Sequence, residues 1–170
     1  MMKRIGIVLW NVCENILKFI VYKMLKFKLS DAAWKNLMQF IKFGIVGLSN
    51  TVIGYLIYAI SLKGLRAGNL FPHADIYIAQ FLMFLLSVLW SFYWNNKAVF
   101  KSESGETRKI FAALMKTYVT YAFTSLFLSE ALLVLWVNAL GISEYVAPII
   151  NLIITVPLNF IIQKFWAFKR

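Results

Sequence analysis

The chain has one cysteine and one histidine in 170 residues. Cys13 alone excludes an intrachain disulfide and any cysteine-based metal cluster. His73, by itself between Pro72 and Ala74, reads as a solvated loop histidine. Zinc ligation and Ser-His-Asp chemistry therefore lack their raw material, and no metal or other cofactor is expected. Acid is scarce as well: seven Asp and Glu stand against eighteen Lys and Arg, a net charge of +11. Charged residues make up only 15% of the chain, and 61% is hydrophobic. A soluble domain of this size has too little interior to hide that much apolar surface, so a bilayer must solvate much of it. The basic residues flank apolar runs instead of forming a folded patch, which points to anionic lipid and away from nucleic acid. No cleavable leader is expected, because Asn11, Glu14, Asn15 and Lys18 interrupt the first apolar run and no small-residue cleavage site follows it.

What is present is helix-length hydrophobicity. About 20 helical residues cross ~30 Å of hydrocarbon, and four segments suffice: 37–62, 76–94, 110–138 and 145–163. The connections carry turn residues, among them Gly64, Gly68, Asn69 and Pro72, then Ser102 to Gly105, then Gly141. Such short loops force antiparallel neighbours. The expected fold is an all-α membrane protein, with four transmembrane helices as two related hairpins over residues 31–170. Sixteen of the eighteen basic residues fall on one side of this arrangement, leaving only Lys63 and Arg66 on the other. The positive-inside rule then places both termini in the cytoplasm. Residues 1–30 form a separate element. Asn11, Glu14, Asn15, Lys18, Tyr22 and Lys26 recur at three- and four-residue steps, the pattern of an amphipathic helix lying in the membrane surface. Ser30 or Asp31 is the expected N-cap of the helix that follows.

The chain nearly repeats itself where two of the spans end. Ser91-Phe92-Tyr93-Trp94-Asn95-Asn96-Lys97-Ala98-Val99-Phe100-Lys101 recurs as Asn159-Phe160-Ile161-Ile162-Gln163-Lys164-Phe165-Trp166-Ala167-Phe168-Lys169. Each copy runs from apolar helix through a carboxamide and a lysine into an aromatic-plus-lysine stop. That order suits a helix leaving hydrocarbon for an anionic headgroup layer.

Several polar residues lie inside the spans. Glu130 is the only acid of the third, and an ionised carboxylate at that depth is costly. It reads as a proton-linked or sugar-binding group facing the interior, as a protonated acid bonded to Ser125 or Ser129, or as one snorkelling to the outer interface. Asn50 and Asn151 read equally as helix glue and as path residues. Asn159 follows Pro157, which removes a backbone donor and leaves the Ile153 carbonyl unpaired, so the pair reads as a polar pocket or hinge. Gly44, Gly47 and Gly54 give the first span a small-residue side for helix packing. Lys97, Lys116 and Lys164 stand at helix exits, where they meet a phosphate entering from the inner leaflet or serve as topology signals only.

Taken together, Phe40-x-x-Phe43-Gly44-x-x-Gly47-x-x-Asn50, Ser91-Phe92-x-x-Asn95 with Phe100, and Asn159-Phe160 with Lys164-x-Trp166-x-Phe168 resemble the GtrA-like family of small four-span membrane proteins. The similarity covers about 38–170 and departs at Asn96, Ala98 and Gln163, the last standing where asparagine is usual. The resemblance implies translocation of polyprenyl-phosphate-linked sugar to the outer leaflet, where separate membrane glycosyltransferases use it. It also implies a polar path, with Lys42, Asn50, Asn95, Lys97, Lys116, Glu130, Asn151, Asn159 and Lys164 as candidates and Pro157 as a hinge. With no nucleotide-binding loop, ATP does not drive the step. Alternatives are a non-transporting scaffold for a glycosyltransferase and a small proton-coupled exporter using Glu130. As an enzyme the chain offers no acid pair or nucleophile–base pair. Four short helices are few to enclose such a path, which makes a homodimer plausible.

Overall fold

The computed structural model describes residues 10–12, 14–24, 26, 28–100 and 109–169. Lys3, Arg4, Cys13, Lys101, Arg108 and Arg170, with the turn over 102–105, lie outside them. The described residues form helices joined by short loops, with no strand among them. The chain divides into two compact units, 1–41 and 42–170.

In the first unit the described helical residues 10–12 and 14–24 (α1) end in a π-helical stretch, Phe19–Met24. Lys26, at φ 53°, follows that stretch. Glu14 and Lys18, one helical turn apart, pair at 3.0 Å. The Lys18 ammonium stands 5.7 Å from the Trp34 ring, and Tyr22 packs on the same indole at 5.4 Å. Ser30 is the cap at the start of Asp31–Ala67 (α2): its Oγ accepts from the Ala33 amide at 3.3 Å.

The second unit holds the rest of α2 and three further long helices, Asp75–Val99 (α3), Ile110–Ala139 (α4) and Ala147–Ala167 (α5). All four long helices are apolar enough to cross a bilayer. The α2–α3 turn uses left-handed Asn69 and Phe71 and is clamped by Arg66 Nε to Asp75 Oδ2 at 2.7 Å. The α4–α5 turn has Gly141 at φ 64°, where an L side chain would be strained. Beside it the Ile142 amide reaches back to the Trp136 carbonyl at 2.8 Å, which satisfies a carbonyl orphaned by the helix end.

Burial runs opposite to that of a soluble bundle. Leu48, Ile60 and Phe111 point outward, 73%, 70% and 74% exposed. The largest fully buried side chains are instead Gln163, Asn95, Thr117, Thr120, Thr124 and Ser91. Lipid tails are as apolar as leucine, so helices gain little by hiding leucine and associate through small and polar residues. Ala79, Ala113 and Ala147 are buried in this way. Of the three glycines expected to pack, only Gly54 does, since a Cβ there would lie 3.6 Å from both Met83 and Ser87. Gly44 and Gly47 have nothing within 4 Å. A Gly54→Leu variant should therefore separate α2 from α3 and lower the melting temperature, whereas Gly47→Leu should not. Matched melts in detergent check this.

Candidate functional site

The two copies of the repeated exit fold alike. After Trp94 and after Ile162 the helices widen into π-helical turns, Asn95–Val99 and Gln163–Ala167. The Phe100 amide closes the first on the Asn95 carbonyl at 2.8 Å, and the Phe168 amide closes the second on the Gln163 carbonyl at 2.7 Å. Such widened turns occur frequently at functional sites. Here they bring Phe100 and Phe168 into a stack with centroids 4.7 Å apart. Phe160 lies against Phe100 and Phe43, and Phe92 against Phe168, which completes an aromatic layer at the lysine-rich end of the unit.

The carboxamides of the two exits meet inside the helices. Asn95 Nδ2 donates to Gln163 Oε1 at 3.4 Å and to Ser91 Oγ at 3.2 Å, and both amide residues are fully buried. Ser91 Oγ is in turn 2.9 Å from the Tyr121 hydroxyl. A line of polar groups, Gln163–Asn95–Ser91–Tyr121, thus runs from the exits toward mid-membrane. It is not saturated: Asn95 Oδ1 and Gln163 Nε2 have no hydrogen-bond partner among the described residues, an unusual state for buried groups. On α4, Thr117, Thr120 and Thr124 form a buried stripe and bond back to the carbonyls of Ala113, Lys116 and Thr120, each at 2.8 Å. Thr124 also lies 2.9 Å from Asn159 Oδ1, which ties α4 to α5.

Tyr121 borders a cavity of about 560 Å³ between α2, α3 and α4. Asn50, Gln80, Phe84, Ser87 and Ser125 share its lining. Tyr77, near the start of α3, and Ser87, at its midpoint, both line it, so the cavity extends from that end of the helix to mid-depth. The Asn50 Oδ1 atom is buried, with no hydrogen-bond partner among the described residues.

The lysines of the exits are held by aromatic rings. Lys97 donates to the Tyr93 hydroxyl at 2.8 Å and stands over the Tyr93 and Trp94 rings. Lys116 donates to the Trp166 carbonyl at 3.2 Å and faces that indole. Lys164 lies over Phe160 and Phe165. Each is a cation packed on aromatic rings near the end of its apolar helix.

Residues 42–168, a stretch covering the paired exits, the polar line and the cavity, match the family model described as GtrA/DPMS, transmembrane domain. The chain belongs to the GtrA/DPMS transmembrane family. No curated protein and no solved structure matches it. The family is one of membrane proteins that handle polyprenyl-phosphate-linked sugars, and it is generally non-catalytic. The match omits 1–41, the first compact unit.

In this GtrA/DPMS chain the sequence-derived candidates separate into groups. Asn95 is in the polar line, Asn50 in the cavity wall, and Lys97, Lys116 and Lys164 at the exits. Lys42 is half-buried at the start of the matched stretch. Asn151 stands apart toward the Gly141 turn, where Nδ2 donates to the Ser129 carbonyl and Oδ1 accepts from Trp136 Nε1, both at 2.9 Å. That is helix glue. Glu130 is exposed on α4 and lines neither the cavity nor the polar line. The helix runs unbroken from Ala147 to Ile162 through Pro157, and Asn159 beside it is engaged with Thr124. Gln163, Ser91, Tyr121 and the threonine stripe were not among the candidates. Three- and four-residue spacing of Thr117, Thr120 and Thr124 was the signal available for the stripe.

Proposed function

We propose that this protein flips a polyprenyl-phosphate-linked sugar across the cytoplasmic membrane for modification of a cell-surface glycopolymer. The observation that carries the reading is the buried polar line from Gln163 to Tyr121, which joins the lysine-rich exits to a cavity that reaches mid-depth. A flippase needs polar groups within the bilayer for sugar and phosphate, with lipid-facing helices beside them for the prenyl tail. By the charge rule the lysine-rich end is cytoplasmic, so Lys97, Lys116 and Lys164 meet the phosphate on entry. Consumption of the lipid outside or an ion gradient gives the step direction.

Reconstitution in liposomes with a short-chain polyprenyl-phosphate hexose tests the reading. Sugar lipid should reach the far leaflet well above the protein-free rate, and a rate equal to that of empty liposomes would overturn it. Lys116→Ala and Lys164→Ala should each slow transport about tenfold, as expected for loss of a charge-assisted contact. Lys23→Ala, on an exposed face, should have little effect.

The scaffold reading has one observation in its favour. Glu130 is an outward-facing acid within a membrane span, with no bonded partner among the described residues. A polar or basic group on a helix of a membrane glycosyltransferase would relieve its cost. The proton-coupled exporter reading loses support, because Glu130 does not border the cavity.

A further inference from the structure

We propose that the cavity beside Tyr121 seats the sugar and that its lining selects sugars without charge. The proposal rests on the flipping reading and extends it to specificity. Three features of the wall carry it. First, Asn50, Gln80 and Ser125 put polar side chains on the wall, and the Gln80 carboxamide and Ser125 hydroxyl are exposed there without a hydrogen-bond partner among the described residues. An unmatched acceptor in a bilayer calls for a donor, which a sugar hydroxyl supplies. A prenyl or acyl tail has none to give. Second, Phe81 and Phe84 line the same space, and aromatic walls suit the C–H face of a pyranose. The volume of about 560 Å³ lies within the usual range for small-molecule sites, roughly 300–1,000 Å³.

The third feature sets specificity. No Asp, Glu, Lys, Arg or His is among the residues lining the cavity. A uronate carboxylate or a free sugar ammonium would lose its hydration there and meet no opposite charge. The lysines that suit the phosphate are elsewhere: Lys97, Lys116 and Lys164 do not line this space. Phosphate and sugar are therefore recognised by different parts of the protein.

The test uses the full chain in proteoliposomes and three short-chain polyprenyl-phosphate sugars that share one tail: hexose, 2-amino-2-deoxyhexose and hexuronate. The hexose lipid should cross on the order of 100-fold faster than either charged one. Asn50→Asp should raise the rate for the amino sugar, because it supplies the missing counter-charge. A site readout independent of transport is alkylation of Ser125→Cys. Hexose lipid should slow it, and bare polyprenyl phosphate should not. Equal rates for all three sugars would overturn the selectivity while leaving flipping intact. Equal protection by bare polyprenyl phosphate would make the cavity a tail groove and overturn the sugar assignment. Absence of transport with hexose-specific protection would defeat the flipping reading yet support the sugar site. An Asn50→Asp chain that fails to remain monodisperse is replaced by Ser125→Asp, for which the same gain toward the amino sugar is expected and whose absence counts against the proposal.

Discussion

Phe168→Ala is expected to destabilise the protein by about 3–5 kcal/mol, the usual cost of deleting a packed phenylalanine. The ring is 3% exposed and stacked between Phe92 and Phe100, so no lipid or water can fill the space it leaves. Phe165, three residues earlier, is 64% exposed and faces outward. Phe165→Ala should cost well under 1 kcal/mol, since lipid replaces the lost contacts. Thermal melts of the two variants in one detergent decide the matter. Equal shifts would show that the aromatic layer joining the two exits is not part of the core.

The second large effect concerns the buried amides. Asn95→Leu removes the donor to Gln163 and Ser91 and takes from Gln163 Oε1 its bond to Asn95, at a cost of about 1–3 kcal/mol. Gln163→Leu takes the same bond from Asn95. The double variant replaces both polar groups by apolar ones of similar size, which is close to neutral for stability. It should melt nearer to wild type than either single variant does. Transport should remain lost in all three, because the polar line is broken at its first step. A double variant that transports normally would show that the line is structural only.

The four spans, their connections and the two related exits were legible because length, hydropathy and turn residues act locally and in register. Asn95 was legible for the same reason. Gln163 departs from the family pattern, yet it is the partner that Asn95 meets. Which two exits touch is a tertiary fact, and a carboxamide one methylene longer still reaches. Tyr121 gave no signal, since its partner Ser91 lies in another helix and tyrosines are common near membrane interfaces. For Glu130 its expense in lipid left an interior and an outward position both open. The structure places it on an exposed face of α4, just after the π-helical stretch Phe123–Leu128. Asn151 carried the opposite risk: an amide in a span looks functional, and here both ends are consumed by Ser129 and Trp136.

The unequal lengths of α4 and α5 bear on how the protein sits in its membrane. α5 has 21 residues and reaches about 32 Å, close to the thickness of the hydrocarbon, whereas the 30 residues of α4 reach about 45 Å. The longer helix must tilt or project into the headgroups, and the shorter has nothing to spare. Lys116 of α4 donates to the Trp166 carbonyl of α5, and Thr124 of α4 to Asn159 of α5, so sliding one helix past the other would break both bonds. Thickening the bilayer would therefore strain α5 first, at the end where the carboxamides meet. Acyl-chain length becomes a variable that acts on this site without any change of sequence.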